Sequence, residues 1–192
     1  MSDSQTLRQA LLDFRRVHLG EAEVANQFLQ FLDSHDDVFH RHHVVGHFTG
    51  SAWLVSGDGA RVLLTHHRKL GRWLQLGGHA DGETDLAQVA LREACEESGL
   101  GDLSVESSIF DLDRHRIPAR GNEPEHWHYD VRFVVRAHGD EAFSVGEESL
   151  DLAWRPITEL LAEDDLDSSI RRMAQRWLTR IEHAGRPTRH AG

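Results

Sequence analysis

At 192 residues, with 39% hydrophobic and 28% charged residues, the chain has the size and composition of a globular protein holding one domain plus an accessory segment. A formal net charge of −11 argues against long nucleic acid as a partner, and leaves a small phosphorylated ligand whose charge metal ions offset. Cys95 is the single cysteine, so no intrachain disulfide forms. No apolar run is long enough to span a membrane, and the polar Met1 to Gln9 lacks the core of a secretory signal; a cytoplasmic location is expected.

Thr6 to about Ser34 reads as two helices broken near Gly20, with Leu7, Ala10, Leu11 and Phe14 and then Val24, Phe28, Phe31 and Leu32 at helical spacing. A polar, His-rich connection from His35 to His43 follows. The pattern turns β-rich at Val44: His47 to Val55 and Arg61 to Thr65 read as strands joined through Ser56-Gly57-Asp58-Gly59. A short strand near Trp73 to Leu76 runs into Gly77-Gly78, and a helix from about Asp85 to Ser98 stops at Gly99. Val105 to Leu112 and Tyr129 to Ala137 read as strands on either side of a polar loop, Pro118 to Glu125. Leu152 to Trp154 adds a strand before Pro156 opens a helix, and a last helix covers about Ser168 to Glu182. The expected organisation is a helical extension over residues 1–43, an α/β domain over 44–184 and a loose tail over 185–192.

Chemistry concentrates in the helix that begins after Gly77-Gly78. Glu93, Glu96 and Glu97 stand at i, i+3 and i+4, so their carboxylates converge on one side. Ala87, Ala90, Leu91 and Ala94 form a separate stripe of mostly small side chains that lets the helix lie close to a sheet. Converging carboxylates repel unless a cation sits among them, and hard oxygen ligands suit Mg²⁺ or Mn²⁺. A solvated acidic face is the alternative for the triplet alone.

Taken with its flanking glycines, the segment Gly78 to Leu100 resembles the Nudix box: Gly, five residues, Glu, seven residues, then Arg-Glu-apolar-any-Glu-Glu-any-Gly-apolar. Gly78, Arg92, Glu93, Glu96, Glu97, Gly99 and Leu100 match, while Thr84 stands where the first box glutamate belongs and Glu83 is displaced by one. The resemblance implies a Nudix-type α/β/α sandwich with a mixed sheet over about Val44 to Trp177, with the N-terminal helical extension outside it. It also implies a metal-dependent pyrophosphohydrolase acting on a nucleoside diphosphate derivative or similar compound. Glu93, Glu96 and Glu97 would be its metal ligands, with the Gly78 carbonyl as a fourth. Metals held there would neutralise phosphate oxygens and activate the attacking water. Arg92 would orient the carboxylates.

Several assignments stay open on the sequence. The general base is a box glutamate or comes from Glu147 or Glu148, which are otherwise ordinary loop acids. Thr84 or Asp85 caps the helix. Thr84 is also the argument for the alternative reading, a nucleotide-binding sensor without catalysis; isopentenyl diphosphate isomerisation is a weaker option.

Among the fifteen histidines no spacing matches a structural zinc set, so they are expected on the surface or in the core, with His79 either touching phosphate or facing solvent. His66 to Arg72 is a phosphate-binding patch or a charged hairpin. His126-Trp127-His128-Tyr129 flanks a substrate or packs in the core, and Trp53, Trp73 and Trp154 are expected in the core. The N-terminal helices are candidates for a cap over the site or for a homodimer contact.

Overall fold

The computed structural model describes residues 3–68, 70–121, 123–145 and 149–184. Their elements follow in chain order. Helices α1 (Asp3–Val17) and α2 (Ala22–Ser34) are separated by one 3-10 turn, Leu19–Glu21. Strands β1 (Gly46–Val55), β2 (Arg61–His67), β3 (Arg72–Leu74) and β4 (Leu76–His79) precede helix α3 (Leu86–Ser98). Strands β5 (Leu103–Ile117), β6 (His126–Ala137) and β7 (Ser149–Pro156) lead to α4 (Ile157–Leu160) and α5 (Ser168–Ala184).

The seven strands form one mixed sheet in the order β3-β2-β1-β6-β5, with β4 also pairing β1 and β7 also pairing β2. All pairs are antiparallel except β1 with β6, which run parallel from Gly46↔Trp127 to Val55↔Arg136. Every residue of β1 is buried, as expected for a strand covered on both faces.

Alternation along the central strands sorts the core into two layers. Phe48, Ala52, Leu54, Val131, Phe133 and Val135 face α3, whereas Trp53, Val55, Val62, Leu64 and Val134 face α4 and α5. The sandwich is therefore α/β/α. The N-terminal helices join the first of these layers: Leu11, Phe14, Phe28 and Phe31 share a cluster with Val89, Ala90 and Ala94 of α3. Phe31 stacks flat on Tyr129 with ring centroids 3.9 Å apart, and Phe28 meets the same ring edge-on at 5.3 Å. Packing thus fastens the extension to the sheet, and the Arg176 guanidinium at the opposite layer pairs with Glu21.

Element boundaries differ from the sequence expectation where geometry intervenes. The expected strand at Trp73 to Leu76 is two strands, because the chain leaves β2 at Leu74 and pairs with β1 from Leu76. Strand β5 runs on to Ile117 past irregular pairing near Ile109, and β6 begins at His126, three residues earlier than the alternation suggests. The loose tail expected over 185–192 lies outside the described residues.

Candidate active site

Helix α3 sits close over β1 because Gly50 has no side chain. A Cβ there would stand 2.8 Å from the Leu86 carbonyl oxygen and 2.9 Å from Val89, which no backbone shift at a central strand relieves. Asp85 is the N-cap, its carboxylate accepting from the N–H groups of Ala87 (3.1 Å) and Gln88 (3.3 Å). Gly99 closes the helix at φ 73°, with its N–H donating to the Cys95 carbonyl. Thr84 does not cap the helix, and the displaced Glu83 does not reach Arg92. The Glu83 carboxylate instead accepts the N–H groups of Thr84 (2.8 Å) and Asp85 (2.9 Å).

This placement brings the Glu93 and Glu97 carboxylates against β4. Glu93 is half-buried over Gly78, so close that a Cβ on Gly78 would overlap its carboxylate. Burial pushes the Glu93 carboxyl up, opposed by its bond to Arg92 and reinforced by the negative charge of Glu96 and Asp81. Glu97 accepts the Gly77 N–H at 3.1 Å, and Glu96 is exposed on the next position of the same face. The Arg92 guanidinium spans the Glu93 carboxylate (2.9 Å) and the His79 carbonyl (3.0 Å). It thus ties the Glu93 carboxylate to the β4 backbone. Glu147 and Glu148 lie outside the described residues.

The loop after β4 is fixed from the N-terminal side. Asp81 has a left-handed backbone, φ 51°, and its carboxylate pairs with Arg41, which holds it below the usual carboxylate range. Gly82 adopts φ 92° with its N–H on the Phe39 carbonyl at 2.9 Å, and a Cβ there would strike the His40 ring at 2.6 Å.

On the α5 side of the sheet the same loop borders a group of histidines, two of them buried. The His47 ring lies 4.7 Å from His128, 4.9 Å from His126 and 5.0 Å from His79. The sequence offered no zinc-like spacing because these residues come from three strands. Their convergence follows from the His47↔His128 register of the parallel pair and from the two-residue repeat that puts His126 and His128 on one face. Burial and mutual repulsion lower the His47 pKa to about 3 and that of His128 to about 2, so both rings are neutral at physiological pH. His79 is lowered too, chiefly by burial.

Below the histidines lies a buried ionic layer that the sequence reading missed. Asp130 accepts from Thr49 (2.9 Å), Ser51 (2.8 Å) and Arg132 (2.7 Å), and Gln75 donates to it at 3.3 Å. Arg132 continues to Asp111 at 3.3 Å, which Arg172 reaches from α5 at 2.7 Å. An alternation of charged residues, Asp130-x-Arg132 opposite Asp111-x-Asp113, is its sequence trace. Tyr129 is core, and Arg114 covers the Trp127 ring at 3.7 Å. Arg72 pairs with Asp167 at 3.0 Å, and of the expected core tryptophans only Trp53 is fully buried, Trp73 and Trp154 being partly so.

A model of the NUDIX domain matches residues 46–177, from the first residue of β1 to Trp177 in α5. The chain belongs to the Nudix family. Nudix hydrolases are generally pyrophosphohydrolases of nucleoside diphosphate derivatives and generally use divalent metals such as Mg²⁺. Solved structures with this fold include a Caenorhabditis elegans Ap4A hydrolase in a binary complex: TM-score 0.56, 14% identity, 71% of this chain and 98% of that one covered. The Mycobacterium smegmatis Nudix hydrolase RenU superposes at TM-score 0.52 with 21% identity, over 73% of this chain and 88% of that one. The NUDIX domain of Shewanella oneidensis NrtR, complexed with ADP ribose, does so at 0.50 with 18% identity, over 79% and 97%. These likenesses establish the fold. No curated protein matches the chain by sequence. Among the described residues no helix is long and apolar enough to cross a membrane.

Proposed function

We propose that this Nudix protein hydrolyses a phosphoanhydride bond in a small nucleoside diphosphate derivative, with Mg²⁺ or Mn²⁺ held by Glu93, Glu96, Glu97 and the Gly78 carbonyl. The observation that carries this reading is the Glu93 carboxylate lodged over Gly78, in space that any other residue at position 78 would fill. The donor set fits a hard divalent cation: three carboxylates on one helix face beside a backbone carbonyl, all oxygen. When bound, the metal supplies charge neutralisation on phosphate oxygens and lowers the pKa of the attacking water.

The chain's own residues do the rest. Arg92 hydrogen-bonds both the Glu93 carboxylate and the His79 carbonyl, which ties the helix to the glycine strand. Glu97 does the same through the Gly77 N–H. A box carboxylate or Glu148 takes the proton from water, and Glu148→Gln separates the two assignments. ADP-ribose, held by the Shewanella oneidensis NUDIX domain, and Ap4A, for which the Caenorhabditis elegans hydrolase is named, define the starting panel. The same reading places the protein in the cytoplasm, with a homodimer as the assembly to be checked by sedimentation.

The test is phosphate or nucleotide release on that panel at limiting Mg²⁺ or Mn²⁺, with wild type beside Glu96→Gln and Glu97→Gln. Wild type should turn over at least one compound, and each variant should lose upward of about 100-fold because an ionised metal ligand is gone. Near-native rates in both variants would remove the metal assignment.

A further inference from the structure

We propose that His47, His126 and His128 form a second metal site, a tri-histidine centre for a borderline divalent cation, Zn²⁺ foremost, separate from the carboxylates of α3. One nitrogen from each ring lies within 4.8 Å of the other two. Tetrahedral Zn²⁺ with Zn–N bonds of about 2.0–2.1 Å separates its nitrogens by roughly 3.3–3.4 Å. The His126 Nε2 and His128 Nε2 atoms are already 3.3 Å apart, one finished edge of that tetrahedron. Small rotations of His47 complete the set, since its ring is already in contact with both others.

Two features distinguish this group from histidines merely packed together. His126 Nδ1 stands 2.9 Å from the Pro124 carbonyl, to which it can only donate. In the neutral ring that bond leaves Nε2 unprotonated, with its lone pair directed at the other two histidines. Metal-binding histidines are characteristically fixed in this way.

Second, His47 is 1% exposed, and among the described residues neither of its ring nitrogens has a hydrogen-bond partner. An N–H···N bond between His126 and His128 would account for those two rings and leave His47 unexplained. A cation among the three satisfies one His47 nitrogen and converts the whole group into a ligand set. Three neutral nitrogens without a carboxylate suit Zn²⁺ and its neighbours rather than Mg²⁺.

His126 forms part of the wall of a cleft of about 250 Å³ lined by Arg41, His43, Glu123 and Pro124, open at the surface. His79, beside Gly78 on β4, packs against both His47 and His128, so the proposed ion adjoins the loop that carries the pyrophosphate chemistry.

The experiment is titration of the full chain, stripped by chelator, with Co²⁺ as a spectroscopic stand-in for Zn²⁺, together with metal analysis after dialysis. Wild type should hold one equivalent of Zn²⁺ and show the visible ligand-field bands of four-coordinate Co²⁺. His126→Gln should weaken that affinity by upward of about 100-fold, since losing even an orienting partner costs about 10–100-fold. Glu93→Gln and Glu97→Gln should leave the bands unchanged, which keeps the outcome independent of the hydrolase reading.

Should His126→Gln misfold by circular dichroism, the wild-type measurement decides alone, through stoichiometry and through a rise in Tm on adding Zn²⁺. No bands and no bound metal in wild type, or bands that survive His126→Gln, would overturn the site. Bands lost in the glutamate variants would place the metal on α3 instead.

Discussion

Two groups of candidate metal ligands flank Gly78 and His79, and they are assembled by opposite means. The side chains of Glu93, Glu96 and Glu97 share one face of α3 because their spacing stacks them, so five consecutive residues suffice. The histidines meet because β1 and β6 pair in parallel register and β4 closes alongside. Their environments differ in the same sense. Glu96 is open to solvent and its helix face carries charge, whereas His47 and His128 are held neutral by burial. A site written on one helix can be read from its spacing; a site written on a sheet needs the strand order first.

The largest expected effect comes from weakening the layer that supports the histidine strand on its far side. Phe31→Ala removes the ring stacked on Tyr129, the neighbour of His128, and should cost about 3–5 kcal/mol in chemical denaturation. Mg²⁺ dependence should stay within a factor of about 2 where the variant is folded, because α3 is reached only indirectly. A loss near zero would mean that the extension is merely laid against the domain.

Gly78→Ala strikes the other group. The added methyl must displace the Glu93 carboxylate, so turnover should fall by about 10–100-fold with the fold retained. Unchanged activity at limiting metal would show that Glu93 is not held where the ligand set requires it.

Acid should separate the two groups in metal-free protein. The His47 and His128 values of about 3 and about 2 lie below the ordinary 6.5, so between those limits the unfolded chain binds more protons than the folded one. Their contribution is therefore complete above about pH 6.5 and is lost as pH falls towards the folded values. Tm measured in chelator should drop between about pH 7 and pH 5, and His128→Gln should flatten that slope. An equal slope in both proteins would locate the titration elsewhere.

Thr84→Glu is the mildest change. With three ligands and Gly78 retained, restoring the box glutamate should leave turnover similar or raise it by less than about tenfold. Wild type inert across the panel with Thr84→Glu active would make this protein a sensor.

Much of the carboxylate site was legible beforehand. Asp85 and Gly99 mark the ends of α3 by cap chemistry, the glutamate spacing sets their face, and Arg92 stands beside Glu93 in the box pattern as it does in space. The histidine group was not, even though His126 and His128 share a face at a glance. Their third member lies on a strand whose partner could only be known from the fold. The Asp130 and Arg132 layer was hidden for the same reason, since a buried charge is intelligible only beside its counter-charge. The fastening of Gly82 and Asp81 by Phe39 and Arg41 was also invisible, because that His-rich connection has no periodicity to read.

The parallel pairing of β1 and β6 has one more effect, on the order in which the chain can fold. Thr49 and Asp130, hydrogen-bonded neighbours in the middle of the sheet, are separated by 81 residues. Closing so long a loop is entropically costly, and sheets dominated by such contacts fold slowly. During synthesis β1 emerges well before its parallel partner, and hairpin contacts with β2 and β4 can cover it on one edge only. Until His126 to Ala137 has left the ribosome, a strand that the folded sheet buries along its whole length keeps an open edge, the feature that invites pairing with another chain. Nascent chains arrested before β6 should therefore aggregate, while chains arrested after it, with only β7 and the last helices missing, should be markedly more soluble.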